Sequence, residues 1–200
     1  TLAFRAPEML NGALEDVMAA LAESEERGAS AGDAEVRWKK LDKGLDLGCG
    51  TGWMGPLVGD KVRWLLGVDL SSRMLDVVGQ QRSGVYDALS TADLVDALEK
   101  EEAASVGLVV AADALPYFGD LRPVLDRAAA VLQEGGLLAF TLEASEEEGT
   151  EERGWALRPS GRFVHGKEYA KEAVRAAGLK VLAVGDGPIR WQGGRPVEGF

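Results

Sequence analysis

The sequence predicts an α/β fold: a doubly wound, mostly parallel sheet with helices on both faces. Two observations carry that expectation. First, short continuous apolar runs alternate with stretches of helical period: GLDLG at 44–48, WLLGVDL at 64–70, SVGLVVAA at 105–112 and GGLLAFTLE at 135–143. Strands that are apolar throughout are buried on both faces, as in parallel sheets covered by helices. Second, glycine supplies 26 of the 200 residues, about twice the usual share, which suits a fold rich in tight turns. The length, 200 residues, is that of a single domain. A domain of that size buries roughly 70% of its unfolded surface and needs no metal or disulfide to hold it together.

Taken in order, residues 7–22 (PEMLNGALEDVMAALA) place apolar side chains at 9, 10, 13, 14, 17, 18, 20 and 21. That spacing is one face of a helix, and Pro7 suits its first turn. Residues 23–35 are polar and glycine-bearing and read as a loop. Residues 1–35 are thus an N-terminal helix and linker, and 36–200 the core of one domain. The run at 44–48 leads into a glycine turn. The run at 64–70 leads into SSRMLDVVGQQ, a helix capped by Ser71 or Ser72. Residues 85–100 add a short strand and a helix. The run at 105–112 passes through DALPYFGD to a helix at about 121–133, and the strand at 135–143 follows. Residues 143–153, EASEEEGTEER, are an acidic excursion, read as a solvated loop rather than a metal site. WALRPSGRFVH at 155–165 reads as a hairpin turning at Pro159, Ser160 and Gly161. Residues 166–178 read as a helix closed by Gly178, and LKVLAVGD at 179–186 as a late strand. The tail, IRWQGGRPVEGF, reads as the start of a final strand that stops short at Phe200. Trp38 and Trp64 are expected in or near the core.

Composition narrows the function. Lys and Arg number 22 against 33 Asp and Glu, a net charge of −11. Such a surface repels phosphate backbones and anionic lipid, so neither nucleic acid nor a membrane is an expected partner. One cysteine cannot form an internal disulfide or a cysteine-built zinc site, and one histidine cannot form a cluster. No metal is expected. No apolar run approaches the ~18 residues of a spanning helix, and no signal peptide opens the chain, so a cytoplasmic location is expected. Residue 1 is Thr, which leaves open an upstream targeting segment and fusion to further domains.

The stretch that carries chemistry is Leu45-Asp46-Leu47-Gly48-Cys49-Gly50-Thr51-Gly52, directly after the first predicted strand. Glycines let the backbone bend sharply and approach a ligand closely. The helix start that follows offers unpaired N–H groups. A dinucleotide-binding turn wants G-x-G-x-x-G, but from Gly48 the last position is Trp53. From Gly50 the last glycine falls on Gly55, and the loop then begins later than expected. Asp46 decides further, because a carboxylate beside the glycines repels a pyrophosphate and attracts an ammonium group. Asp69 ends the next strand, where a carboxylate accepts hydrogen bonds from ribose hydroxyls. A ligand with a ribose, an ammonium group and no phosphate is S-adenosylmethionine.

LDLGCGTG followed by GVDLSSRML resembles the class I S-adenosylmethionine-dependent methyltransferases. VYDALSTADLVDAL, LVVAADALPYFGDL, LQEGGLLAFTLE and RPSGRFVH resemble a subgroup: the small methyltransferase domains of tetratricopeptide-repeat-linked methyltransferases. The resemblance implies a Rossmann-like sheet of the seven-stranded type, here lacking part of its last strand. It implies that Asp46 faces the amino end of the cofactor and that Gly48, Cys49, Gly50, Thr51 and Gly52 form a backbone cradle. Asp69 would hold the ribose, with Leu70 against the adenine and Met74 nearby. Ala92, Asp93 and Leu94 match the loop whose Asp receives the adenine amino group. Ala112, Asp113 and Tyr117 match the place where the methyl meets its acceptor. Amino-methylating members commonly carry Asn/Asp-Pro-Pro-Tyr there. Ala-Asp-Ala-Leu-Pro-Tyr stands instead, which argues against DNA adenine or glutamine amide as acceptor.

Methyl transfer to a small-molecule or protein acceptor is an in-line displacement at an already activated sulfonium. The protein must chiefly align the two partners. A general base helps where the acceptor loses a proton, and the candidates are Asp113, Tyr117 and His165, with Arg162 as an anion contact. His165 also suits a purely structural, hydrogen-bonded role. Cys49 reads as a small apolar filler, while Trp53 and Trp155 are placed to close over a ligand. The competing reading is a cofactor-binding module without transfer, serving assembly or regulation.

Overall fold

The computed structural model describes residues 4–28, 40–145 and 153–200. Its centre is a parallel sheet in the order β3-β2-β1-β4-β5: β1 (Leu41–Leu47), β2 (Val62–Asp69), β3 (Ala88–Thr91), β4 (Val106–Ala111) and β5 (Leu132–Phe140). The chain runs outward from β1 through β2 to β3, then returns to the other side of β1 for β4 and β5. The reversal leaves a crevice between β1 and β4 at the carboxyl edge of the sheet, where doubly wound folds bind ligands.

Every residue of β4 is buried, as a continuous apolar run predicts. Successive side chains face opposite ways. Val109 and Ala111 join Leu45 and Leu47 beneath α4 (Leu94–Glu99) and α5 (Arg122–Val131). Leu108 and Val110 join Leu65 beneath α1 (Ala6–Gly28) and α2 (Gly55–Val58). Two apolar cores therefore clamp the sheet, and they fix the strand ends that carry the site.

Several expectations need correction. The first helix runs on to Gly28, because Glu23, Glu25, Glu26 and Arg27 favour helix and nothing breaks it earlier. Most of the predicted 23–35 loop, Trp38, and residues 146–152 of the acidic excursion lie outside the described residues. Trp64 is 36% exposed near the start of β2, with the Lys43 ammonium 4.9 Å from its ring centroid.

The strands beyond β5 do not widen the central sheet. They build a second, mixed sheet in the order β7-β8-β6-β10-β9: β6 (Glu143–Ala144), β7 (Trp155–Leu157), β8 (Phe163–His165), β9 (Gly187–Gln192) and β10 (Arg195–Gly199). The hairpin at 155–165 forms, with Gly161 at φ +80° in its turn. The tail is a complete hairpin that turns at Gly193 and Gly194, and Phe200 exchanges two backbone hydrogen bonds with Leu142. The helix α6 (Lys167–Ala176) ends before Gly178, which adopts φ +83°. The strand expected at 179–186 joins no ladder among the described residues. A cavity of about 270 Å³ opens between this segment, β5, α1 and α6.

Candidate active site

The glycine turn follows from where β1 ends. Gly48, Gly50 and Gly52 adopt φ +69°, +54° and +80°, a region that strains any residue with a Cβ. At Gly48 a Cβ would also stand 2.5 Å from that of Ala114, whereas at Gly50 nothing lies within 4 Å. The turn is thus packed at its base and open at its middle. The Cys49 amide donates to Val68 O at 2.9 Å, which ties the turn to β2. The Cys49 side chain is buried, and burial together with the nearby Asp46 and Asp69 pushes its thiol well above the ordinary value. It is a packing group, not a nucleophile.

Asp69, the last residue of β2, receives two backbone donors: Gly50 N–H on Oδ2 at 2.9 Å and Ser71 N–H on Oδ1 at 2.8 Å. A carboxylate has about four acceptor positions, so this one is locked in place with capacity left for hydroxyl donors. Ser71 caps α3 (Ser72–Gln81) by accepting from Met74 N–H. Immediately beside it Leu70 is 69% and Met74 44% exposed, two large apolar side chains in open positions. On the next strand end Asp93 caps α4, its Oδ1 accepting from Val95 N–H at 2.8 Å, and Ala92 N–H donates to Asp69 O. Leu94 differs from its expected part: its side chain is buried in the core, so only its backbone remains for a ligand.

Asp46 lies in β1 with its carboxyl fully buried. Oδ2 accepts from the Tyr86 hydroxyl at 2.6 Å, and Oδ1 has no partner among the described residues. Burial raises the carboxyl to about 7, opposed by the Tyr86 hydrogen bond and reinforced by the charge of Asp69. The sequence gives no sign of Tyr86, nor of Arg82, whose Nε–H donates to Thr51 O at 2.9 Å and whose guanidinium lies 4.5 Å from the Trp53 ring. Both come from the connection between α3 and β3; Tyr86 falls within the VYDALSTADLVDAL stretch, but nothing in its spacing marks it as a partner of Asp46.

The acceptor side lies beyond β4. Ala112 is partly exposed. Asp113 holds φ +59° while its N–H donates to Thr141 Oγ1 at 2.8 Å. Its Oδ1 accepts from Arg162 at 2.7 Å and Arg190 at 2.8 Å, and Arg190 also pairs with Glu143. Burial pushes the Asp113 carboxyl up, while the two guanidiniums pull it back. Tyr117 is 60% exposed, with its hydroxyl accepting from Arg162 at 2.9 Å. His165 is placed elsewhere. It is wholly buried, Nε2 lies 3.1 Å from Gly119 O, and burial lowers its proton affinity. Its Nδ1 has no hydrogen-bond partner among the described residues.

A family model described as a methyltransferase domain matches residues 45–140, the stretch from the glycine turn to the end of β5. Just under half of the chain is thus similar to that family. No curated protein matches the sequence closely. Among solved structures, YcgJ of Bacillus subtilis is similar with a TM-score of 0.62 at 18% identity, over 87% of this chain and 72% of that one. An S-adenosylmethionine-dependent methyltransferase from Mesorhizobium loti gives 0.54 at 21% identity, over 73% and 77%. Phosphoethanolamine N-methyltransferase 2 of Haemonchus contortus, in complex with S-adenosyl-L-methionine, gives 0.55 at 20% identity, over 72% of this chain and 34% of that one. Likeness at these identities is one of fold.

The site suits S-adenosylmethionine, the ligand bound in the Haemonchus contortus structure, on three counts. The turn is open at Gly50, a carboxylate is fixed at the end of β2, and a buried carboxyl oxygen beside the turn lacks a partner among the described residues. The last of these, the Asp46 carboxyl, disfavours a pyrophosphate beside the turn. Among the described residues no helix is long and apolar enough to cross a membrane.

Proposed function

We propose that the chain is an S-adenosylmethionine-dependent methyltransferase that transfers its methyl group, by in-line displacement, to a small-molecule or protein acceptor held at Ala112, Asp113 and Tyr117. When bound, the cofactor supplies an electrophilic methyl group on a sulfonium. The chain's residues do the rest. Asp69 holds the ribose, the amides of the glycine turn follow the methionyl part, Leu70 and Met74 cover the adenine, and Asp93 receives its amino group. Asp46 gives the ammonium end an anionic neighbour. Asp113 and Arg162 hold one another, so their part is to shape the acceptor's seat rather than to remove a proton. Tyr117 faces that seat. The tetratricopeptide-repeat-linked subgroup is part of the same proposal: the S-G-R-F-V-H stretch at 160–165 supplies Arg162 to the seat.

The observation that carries this reading is Asp69, clamped by two amides at the strand end beside an open glycine turn. Calorimetry with S-adenosylhomocysteine and with NAD tests it. We expect micromolar-range affinity for the first and none for the second. Asp69→Ala weakens the first at least about tenfold by removing the ribose acceptor. Unchanged affinity in that variant removes the ribose assignment. A labelled-methyl assay on cell extract separates transfer from mere binding: bound cofactor without methylated product favours a regulatory module.

A further inference from the structure

Tyr86 is tied to the site in two ways. Its ring fills the space behind three glycines: a Cβ would stand 2.6 Å from it at Gly55, 2.9 Å at Gly67 and 3.2 Å at Gly52. Its hydroxyl donates to Asp46 Oδ2 at 2.6 Å. One aromatic side chain thus backs the turn and grips the carboxyl next to it. Asp46 has no cation beside it among the described residues, and its ladder partners, Gly67 and Val110, carry no charge. The titratable groups that face it are Tyr86, Asp69 at the end of β2 and Cys49 in the turn. Of these only Tyr86 favours the carboxylate over the acid.

Resting on the methyltransferase reading above, we propose that Tyr86 is a positioning residue for the cofactor's amino end, holding Asp46 ready to ionise so that cofactor affinity rises with pH about a midpoint that Tyr86 sets. The reasoning is electrostatic. An ammonium group gains from a buried carboxylate and little from a buried carboxylic acid. The Tyr86 hydrogen bond stabilises the carboxylate, and removing it moves the balance toward the acid. The ring, by contrast, serves the shape of the turn and has no pH dependence in this range.

The test separates these two parts of the side chain. Binding of S-adenosylhomocysteine and of 5′-methylthioadenosine, which lacks the amino-acid portion, is measured from pH 6 to 8.5. Three chains are compared: wild type, Tyr86→Phe and Asp46→Asn. In the wild type, S-adenosylhomocysteine binds at least about fivefold tighter at the upper end, and methylthioadenosine shows no pH dependence. Tyr86→Phe moves the midpoint up by about one pH unit and leaves methylthioadenosine unaffected. Asp46→Asn abolishes the dependence, and adding Tyr86→Phe to it changes nothing further. Equal weakening of both ligands at every pH in Tyr86→Phe means a merely structural ring and overturns the proposal. If Tyr86→Phe fails to fold, the Tyr86 13Cζ resonance of the intact chain takes its place. It must titrate with the binding midpoint, and its failure to do so also overturns the proposal. Absence of S-adenosylhomocysteine binding by the wild type instead defeats the cofactor reading itself.

Discussion

Asp46 costs the fold stability that the site requires. A free carboxyl titrates at 3.8, and burial holds this one at about 7. Between those values the folded chain keeps a proton that the unfolded chain has released, so stability falls as pH rises through the window and levels off above it. Asp46→Asn is therefore more stable than the wild type at pH 8, and the gain shrinks toward pH 4. His165 works in the other direction. Its ring is held neutral by burial, so its cost grows as pH falls below the ordinary histidine range. Thermal melts from pH 4 to 9 check both slopes. Tyr117, the exposed candidate on the acceptor side, has a kinetic test. If the site works by alignment, Tyr117→Phe lowers kcat by less than about tenfold, against the 10²–10⁴ expected when a general base is lost.

At the scale of elements, a knot of four charges joins the end of β4 to the second sheet. Asp113 follows β4, Glu143 opens β6, Arg162 precedes β8 and Arg190 lies in β9; both arginines reach Asp113, and Arg190 also reaches Glu143. Asp113, Glu143 and Arg190 are buried. Removing one partner strands the others without water, so Arg190→Ala destabilises by about 3–5 kcal/mol. Chemical denaturation measures the loss, and hydrogen exchange locates it in β9 and β10. None of this was legible in the sequence, because Asp113 and Arg190 stand 77 positions apart and ion pairs at that separation have no periodicity. The parallel core was legible, because Val109, Val110 and their neighbours are apolar on both faces and so announce burial from two sides. So were the glycine turn and Asp69, which lie within a short local stretch. The strand at 179–186 misled for the same reason. Leu179, Val181, Leu182 and Val184 have a strand's composition, but pairing depends on what lies alongside, and the segment joins no ladder among the described residues.

For the whole molecule, the charge of −11 acts as self-repulsion, which salt screens. Raising sodium chloride from 10 to about 200 mM therefore raises the melting temperature, as calorimetric scans will register. The same charge makes retention on duplex DNA or anionic vesicles at physiological salt an unexpected result. Tyr86 has a consequence at this scale as well. It touches the turn, α2 and β2 at once, through positions 52, 55 and 67; at 55 the three nearest atoms to a Cβ are all of the phenol, while Arg82 also crowds position 52 and Leu89 position 67. Alanine at position 55 should be tolerated poorly in this background and far better once residue 86 is small. Positions 55 and 86 form one epistatic pair, in which the permitted alphabet at the first is written by the size of the second.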